Sequence, residues 1–155
     1  HKAIRRQRQM CIRDRYSTSK VLRDGKHLYQ WTGIDECTRM RFVYSFEEHT
    51  PENSVKFLKM LIQAFPFKIK TIQTDNGTGF TYKYKLIPPR TPWHNGKVER
   101  SHRNDQRYFY DWETFRSVEE LNKKLEKHLV WSNNKTMRTL GNKSPIQILA
   151  EKLAA

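Results

Sequence analysis

KTIQTDNGTGF, residues 70–80, begins as a strand and breaks off on an acid. Lys70 to Thr74 is a short β-branched run, and Asp75 is followed at once by Asn76-Gly77, a turn dipeptide. Two readings of Asp75 stand side by side. An Asp before Asn-Gly is ordinary turn chemistry, because its side chain can hydrogen-bond the backbone two residues on. A carboxylate at the C-terminal end of a strand can also hold a divalent cation over a sheet, provided other carboxylates converge on it.

Working outward, HLYQWTGID (27–35) and MRFVYSF (40–46) are aromatic and β-branched runs separated by the polar stretch ECTR, which predicts an antiparallel hairpin. Thr50 and Pro51 read as the N-cap and first position of a helix, with Val55, Leu58, Leu61, Ile62 and Phe65 on its apolar stripe and Pro66 as its stop. YKLIPP (84–89) is a fourth strand candidate, ended by its prolines. The carboxyl-terminal half reads as helical. One helix is expected from Asn95, as cap, to about Tyr110, a second opens on the capping box Ser117 and Glu120, and a short last one on Ser144-Pro145. No internal repeat or low-complexity linker divides the chain, and one domain is expected.

Lys and Arg number 30 against 16 Asp and Glu, a formal charge of +14, which points to a polyanionic partner, nucleic acid above all. No apolar run is long enough for a membrane span. Cys11 and Cys37 form neither a disulfide framework nor a CxxC metal pair, which fits a reducing, cytoplasmic compartment.

Glu99 lies in the first turn of the helix expected after the fourth strand. An acid there complements the helix dipole whatever else it does. Its surroundings add a second possibility. His102, Arg103 and Gln106 share its expected face, and Lys97, Arg100, Arg103 and Arg107 form a basic run suited to phosphates. Trp93, His94 and Asn95 just upstream could line a DNA path, although Trp93 could equally pack at the helix entrance; His94 and His102 read as polar surface groups rather than metal ligands.

IDECTR, IQTDNGTGF, PRTPWHNGKVERSH and LGNKSP, taken in that order, resemble the catalytic core of the integrase and insertion-sequence transposase superfamily with its D,D,E acids. The resemblance covers roughly residues 20–150. It implies an α/β fold with a ribonuclease H-like mixed sheet flanked by helices, two Mg2+ or Mn2+ ions, DNA as partner and substrate, homo-oligomers in intact relatives, and cleavage and joining of DNA. By motif match, Asp75 is the second acid and Glu99 the third. Hard cations prefer oxygen ligands, and a pair of them about 4 Å apart can activate a nucleophile and stabilise a leaving oxygen.

The chain departs from that pattern in two places. The family's first acid lies about sixty residues before the second, where it completes the two-metal site. Asp35, 40 residues before Asp75, sits in the second-strand motif, whose acid is not the catalytic one; Asp14, 61 residues before, has the spacing. Yet Asp14 lies in MCIRDR, the peptide encoded by ATG TGT ATA AGA GAC AGR, which resembles a transposon-end adapter used to prepare sequencing libraries. The segment 1–19, which opens on His1 rather than Met, is therefore expected to be a non-native or disordered basic tail on a fragment, with residues 1–15 outside the fold. The second departure is the spacing of Asp75 and Glu99, 24 residues, with Gly79 where the family usually has Glu. Family members leave about thirty-five, room for a crossover helix, and without it the third and fourth strands are not expected to be joined as in the family. Two functions follow: an active strand-transfer enzyme, or a basic DNA-binding remnant without chemistry.

Overall fold

The computed structural model describes residues 9–21, 27–69, 71–74, 85–86 and 96–154. Five strands form one sheet: β1 (Gln9–Val21), β2 (His27–Asp35), β3 (Arg41–Phe46), β4 (Thr71–Thr74) and β5 (Lys85–Leu86), in the order β3-β2-β1-β4-β5. The first three are antiparallel neighbours, while β4 runs parallel to both β1 and β5. The sheet is therefore mixed.

Helix α1 (Pro51–Ala64) covers one face. Thr50 Oγ1 accepts the backbone N–H of Asn53 at 3.2 Å, Pro51 takes the first turn, and the chain leaves the helix at Phe65, just before Pro66. Its buried stripe is Ser54, Phe57, Leu58 and Leu61, followed by Phe65. Val55 and Ile62, expected in that stripe, are about half exposed at 49% and 55%. The stripe turns by roughly one residue because Phe57 packs on Phe42, and Ser54 Oγ accepts from Trp31 Nε1 at 3.3 Å. Leu61 lies over Gly33, where an added Cβ would meet Leu61 Cδ1 at 2.6 Å, so a larger residue there would make the Leu61 side chain shift.

The opposite face carries α2 (Gly96–Asp105) and α3 (Val118–Asn134), and α4 (Pro145–Ala154) packs on α3. Residues Gln106–Tyr110 continue α2 as a π turn rather than as the single α-helix expected over 95–110. The wider turn allows adjacent residues Phe109 and Tyr110 both to be buried while Asp105 stays inside. Ser117 caps α3, and Ser144 forms a reciprocal box with Gln147: its Oγ accepts the Gln147 N–H at 3.3 Å, and its own N–H donates to Gln147 Oε1 at 2.8 Å. Two asparagines of α3, three turns apart, clamp the edge strand β3. Asn122 exchanges hydrogen bonds with the backbone of Ser45 and Asn133 with that of Arg41, so polar groups that an edge strand would leave unpaired are satisfied.

One expectation is corrected here. Residues 9–15 are not outside the fold. β1 is the central strand, Ile12 is fully buried, and its Cα partners are Gly33 on β2 and Thr74 on β4. The charge of the segment hid the short run Met10-Cys11-Ile12, which suits a strand hydrogen-bonded on both edges. Residues 1–8 lie outside the described residues. β4 and β5 pair in parallel, through Gln73↔Lys85 and Thr74↔Leu86, while the connection between them, on which the expectation about their joining rests, lies outside the described residues.

Candidate nucleic-acid and metal site

β4 ends at Thr74, one residue before Asp75. Asp75 itself lies outside the described residues, as do Trp93, His94 and Asn95 and the cap expected at Asn95. The helix that carries Glu99 packs against β1 and β2, the strand pair next to β4. Val98 is buried against Ile34, and His102 Nε2 is 3.0 Å from Thr32 Oγ1. Glu99 stays exposed in the first turn of α2. Asp14 stands in β1 as Cα partner of Trp31, whereas Cys11 and Arg13 stand opposite Ile34 and Thr32, the β2 residues that meet α2. The register thus sets Asp14 out of phase with the positions on the α2 side. Among the described residues, no three His, Cys, Asp or Glu side chains come together as a metal cluster. Of the acids expected to bind metal, only the Glu99 carboxylate is described; it is an oxygen donor suited to a hard cation.

The basic run does not lie beside Glu99 as one stripe. At about 100° per residue, Arg103 shares the flank of Glu99, while Lys97, Arg100 and Asn104 turn to the other flank. Lys97 Nζ is tied to Glu36 Oε1 of the β2–β3 turn at 2.5 Å. Arg107, in the π turn, lies with its guanidinium 5.5 Å from the Tyr108 ring centre.

His102 is not the surface group expected. It is 5% exposed and belongs to a buried polar network between the sheet and α2 and α3 that the sequence reading missed. Asp105, 1% exposed, pairs with Arg41, accepts from Gln30 Nε2 at 3.3 Å and lies 3.1 Å from His128 Nε2. Arg41 also donates to Ser101 Oγ at 2.7 Å, and Tyr110 donates to Gln30 Oε1. Burial by itself would raise the Asp105 carboxyl, but the Arg41 guanidinium and the His128 hydrogen bond outweigh it and hold the group below the usual carboxylate range. Burial pushes the Tyr110 phenol above its usual range, and the charge of Asp105 adds to the effect. A signal for this network was present in α2: Val98, Ser101, His102, Asp105 and Phe109 recur at helical spacing, with apolar ends marking an inward face whose middle is polar.

Asp35, in the second-strand motif, serves the turn. Its Oδ2 accepts both the N–H and the hydroxyl of Thr38 at 2.7 Å. Burial raises its carboxyl, and the Thr38 bonds offset part of that.

The same fold occurs in solved integrases. The catalytic core domain of BIV integrase superposes with a TM-score of 0.63 over 93% of this chain and 95% of that one, at 21% identity. A chain of the simian T-cell lymphotropic virus intasome, solved in complex with the PP2A regulatory subunit B56 gamma, superposes with a TM-score of 0.68 over 89% of this chain and 53% of that one, at 16% identity. Residues 81–145 match the integrase core domain family model. Two curated relatives are similar in sequence. One is the "Putative integrase ORF3" of Spiroplasma virus SpV1-C74, 26% identical over 153 residues, covering 80% of this chain and 42% of that protein. The other is the retrovirus-related Pol polyprotein from transposon RE1 of Arabidopsis thaliana, 28% identical over 99 residues, 56% of this chain and 7% of that protein. The chain thus spans less than half the length of either. Its class is the ribonuclease H-like fold of integrase catalytic cores. In fold and motifs together it is similar to integrase and transposase catalytic cores.

Proposed function

We propose that this chain is a DNA-binding core of an integrase or transposase from a mobile element, spanning residues 20–150 together with β1, and that as it stands it binds DNA without cutting it efficiently. What supports this reading most is the packing of the Glu99 helix against β1 and β2, beside the strand that leads into Asp75. Asp75 and Glu99 would hold Mg2+ or Mn2+, which supplies Lewis-acid activation of a phosphodiester when bound. Lys97, Arg100, Arg103 and Arg107 would neutralise backbone phosphates, and Trp93, His94 and Asn95 would border the strand. Intact relatives would act as homo-oligomers. Catalysis is held back by the first acid: Asp14 is out of register with the α2 side, and a metal pair short of one carboxylate has its mutual repulsion less neutralised. The 24-residue spacing of Asp75 and Glu99 acts in the same direction.

Binding is tested by titrating duplex DNA at several salt concentrations. Affinity should fall steeply with salt and depend little on sequence, because each neutralised phosphate releases counterions. Joint replacement of Lys97, Arg100 and Arg103 by Gln should flatten the logarithmic salt slope by about one unit per lost contact. An unchanged slope would remove α2 from the DNA face.

A further inference from the structure

A cleft of about 310 Å³ opens on the flank of α2 that faces away from Glu99, between that helix, the β2–β3 turn and the segment around Met137 and Thr139. Among the described residues, four cationic side chains line it, those of Arg39, Arg41, Lys97 and Arg100, and none that lines it is acidic. Arg41 is matched by Asp105 and Lys97 by Glu36, each outside the lining. The charges of Arg39 and Arg100 have no ion-pair partner among the described residues.

Two further observations bear on this cleft. Arg41 is 5% exposed, yet its Nε has no hydrogen-bond partner among the described residues, and neither has the buried Nη1 of Arg39. Buried guanidinium groups with donors to spare are costly unless an anion accompanies them. Arg39 also adopts φ of +65°, a left-handed conformation that Gly or Asn would take at less cost. The turn pays that strain while directing an arginine, not a small residue, at the cleft. Ser101 and Asn104 line the α2 wall, and Ser101 Oγ, which accepts from Arg41, keeps its hydroxyl proton to donate.

From these features we infer that the cleft is an oxyanion site for a single phosphate group, gripped by Arg39 and Arg100 from opposite walls, with Ser101 and Asn104 as neutral donors. Planar guanidinium groups suit a tetrahedral oxyanion through paired N–H donors. The phosphate could be a diester of a nucleic-acid strand running past α2 or a free anion; both offer the same oxygens. The site is separate from the carboxylates and needs no metal.

The test titrates the full chain by NMR with inorganic phosphate and, separately, with a thymidine dinucleotide monophosphate, each against sodium chloride at matched ionic strength. Saturable shifts are expected at Arg39, Arg100 and Ser101. Arg39→Gly, which also relieves the positive φ, and Arg100→Gln, at an exposed position, should each weaken binding about tenfold or more, with thermal unfolding reporting that the fold is kept. Binding of the dinucleotide alone assigns the site to a nucleic-acid strand, and binding of phosphate alone to a free anion. Shifts no larger than those from chloride, or equal affinity in both folded variants, would overturn the inference. Arg100 also belongs to the proposed DNA face, so Arg39→Gly carries the distinction: loss of phosphate binding in Arg39→Gly with duplex binding kept separates this site from that face.

Discussion

On the α1 side of the sheet, Ile12, Trp31, Phe57 and Leu61 close on one another as a continuous aromatic and aliphatic core. On the other side, apolar clusters at Leu28, Val43, Phe109 and Leu125, and at Ile34 and Val98, flank a buried ionic network built on Arg41 and Asp105. The first face depends on area removed from water, which is indifferent to pH. The second depends on charges that must all find partners, because a half-satisfied buried network costs more than an apolar one. One sheet is therefore held by two kinds of chemistry, and the ionic face is the one against which α2 is docked. The placement of Glu99 is tied to that of Asp105, less than two turns further along the same helix.

The largest separation between the faces should come from paired substitutions. Asp105→Asn leaves the Arg41 guanidinium buried without its counter-charge and should cost about 3–5 kcal/mol near neutral pH. Because the folded Asp105 carboxyl is held below its ordinary range, its contribution is fully present above the ordinary carboxylate pKa and is lost as pH falls through the depressed value. The gap between variant and wild type, read by denaturant unfolding, should therefore narrow in acid. Leu61→Ala, on the other face, should cost about 2–5 kcal/mol with no comparable pH dependence. If both variants track wild type identically across pH, the contrast between the faces is wrong.

A smaller effect sharpens the contrast within the polar face. Tyr110→Phe deletes the hydroxyl that donates to Gln30 and leaves an acceptor short of its partner, for a cost of about 1–3 kcal/mol in thermal unfolding. A change near zero would place Gln30 outside the cooperative part of the network.

The apolar face was largely legible in the residues. The β-branched hairpin, Thr50-Pro51 as helix start, Pro66 as stop and Leu58 with Leu61 as inward positions follow from periods and caps. Its central strand was not, because Arg13, Asp14 and Arg15 outweigh the buried Ile12 in the sequence. The polar face defeated sequence reasoning for the same reason: Arg41, His102 and Asp105 carry charge or polarity that ordinarily marks solvent, and only the fold places their partners within reach. The motif acids were legible as a family resemblance, yet the split of the basic run into two flanks of α2 requires helix geometry and a known inward face. The positive φ at Arg39 leaves no trace in composition at all.

The most direct test of the proposed function incubates the protein with DNA bearing the parent element's ends, in Mg2+ or Mn2+, and follows binding and nicking in the same sample. The account predicts salt-sensitive binding with little or no nicked or joined product, and product from a version in which the first-strand acid and the longer connection between β4 and α2 are restored. Cleavage by the unaltered chain that disappears in Asp75→Asn or Glu99→Gln would contradict it, because those acids would then be converging on metal without a first acid in register.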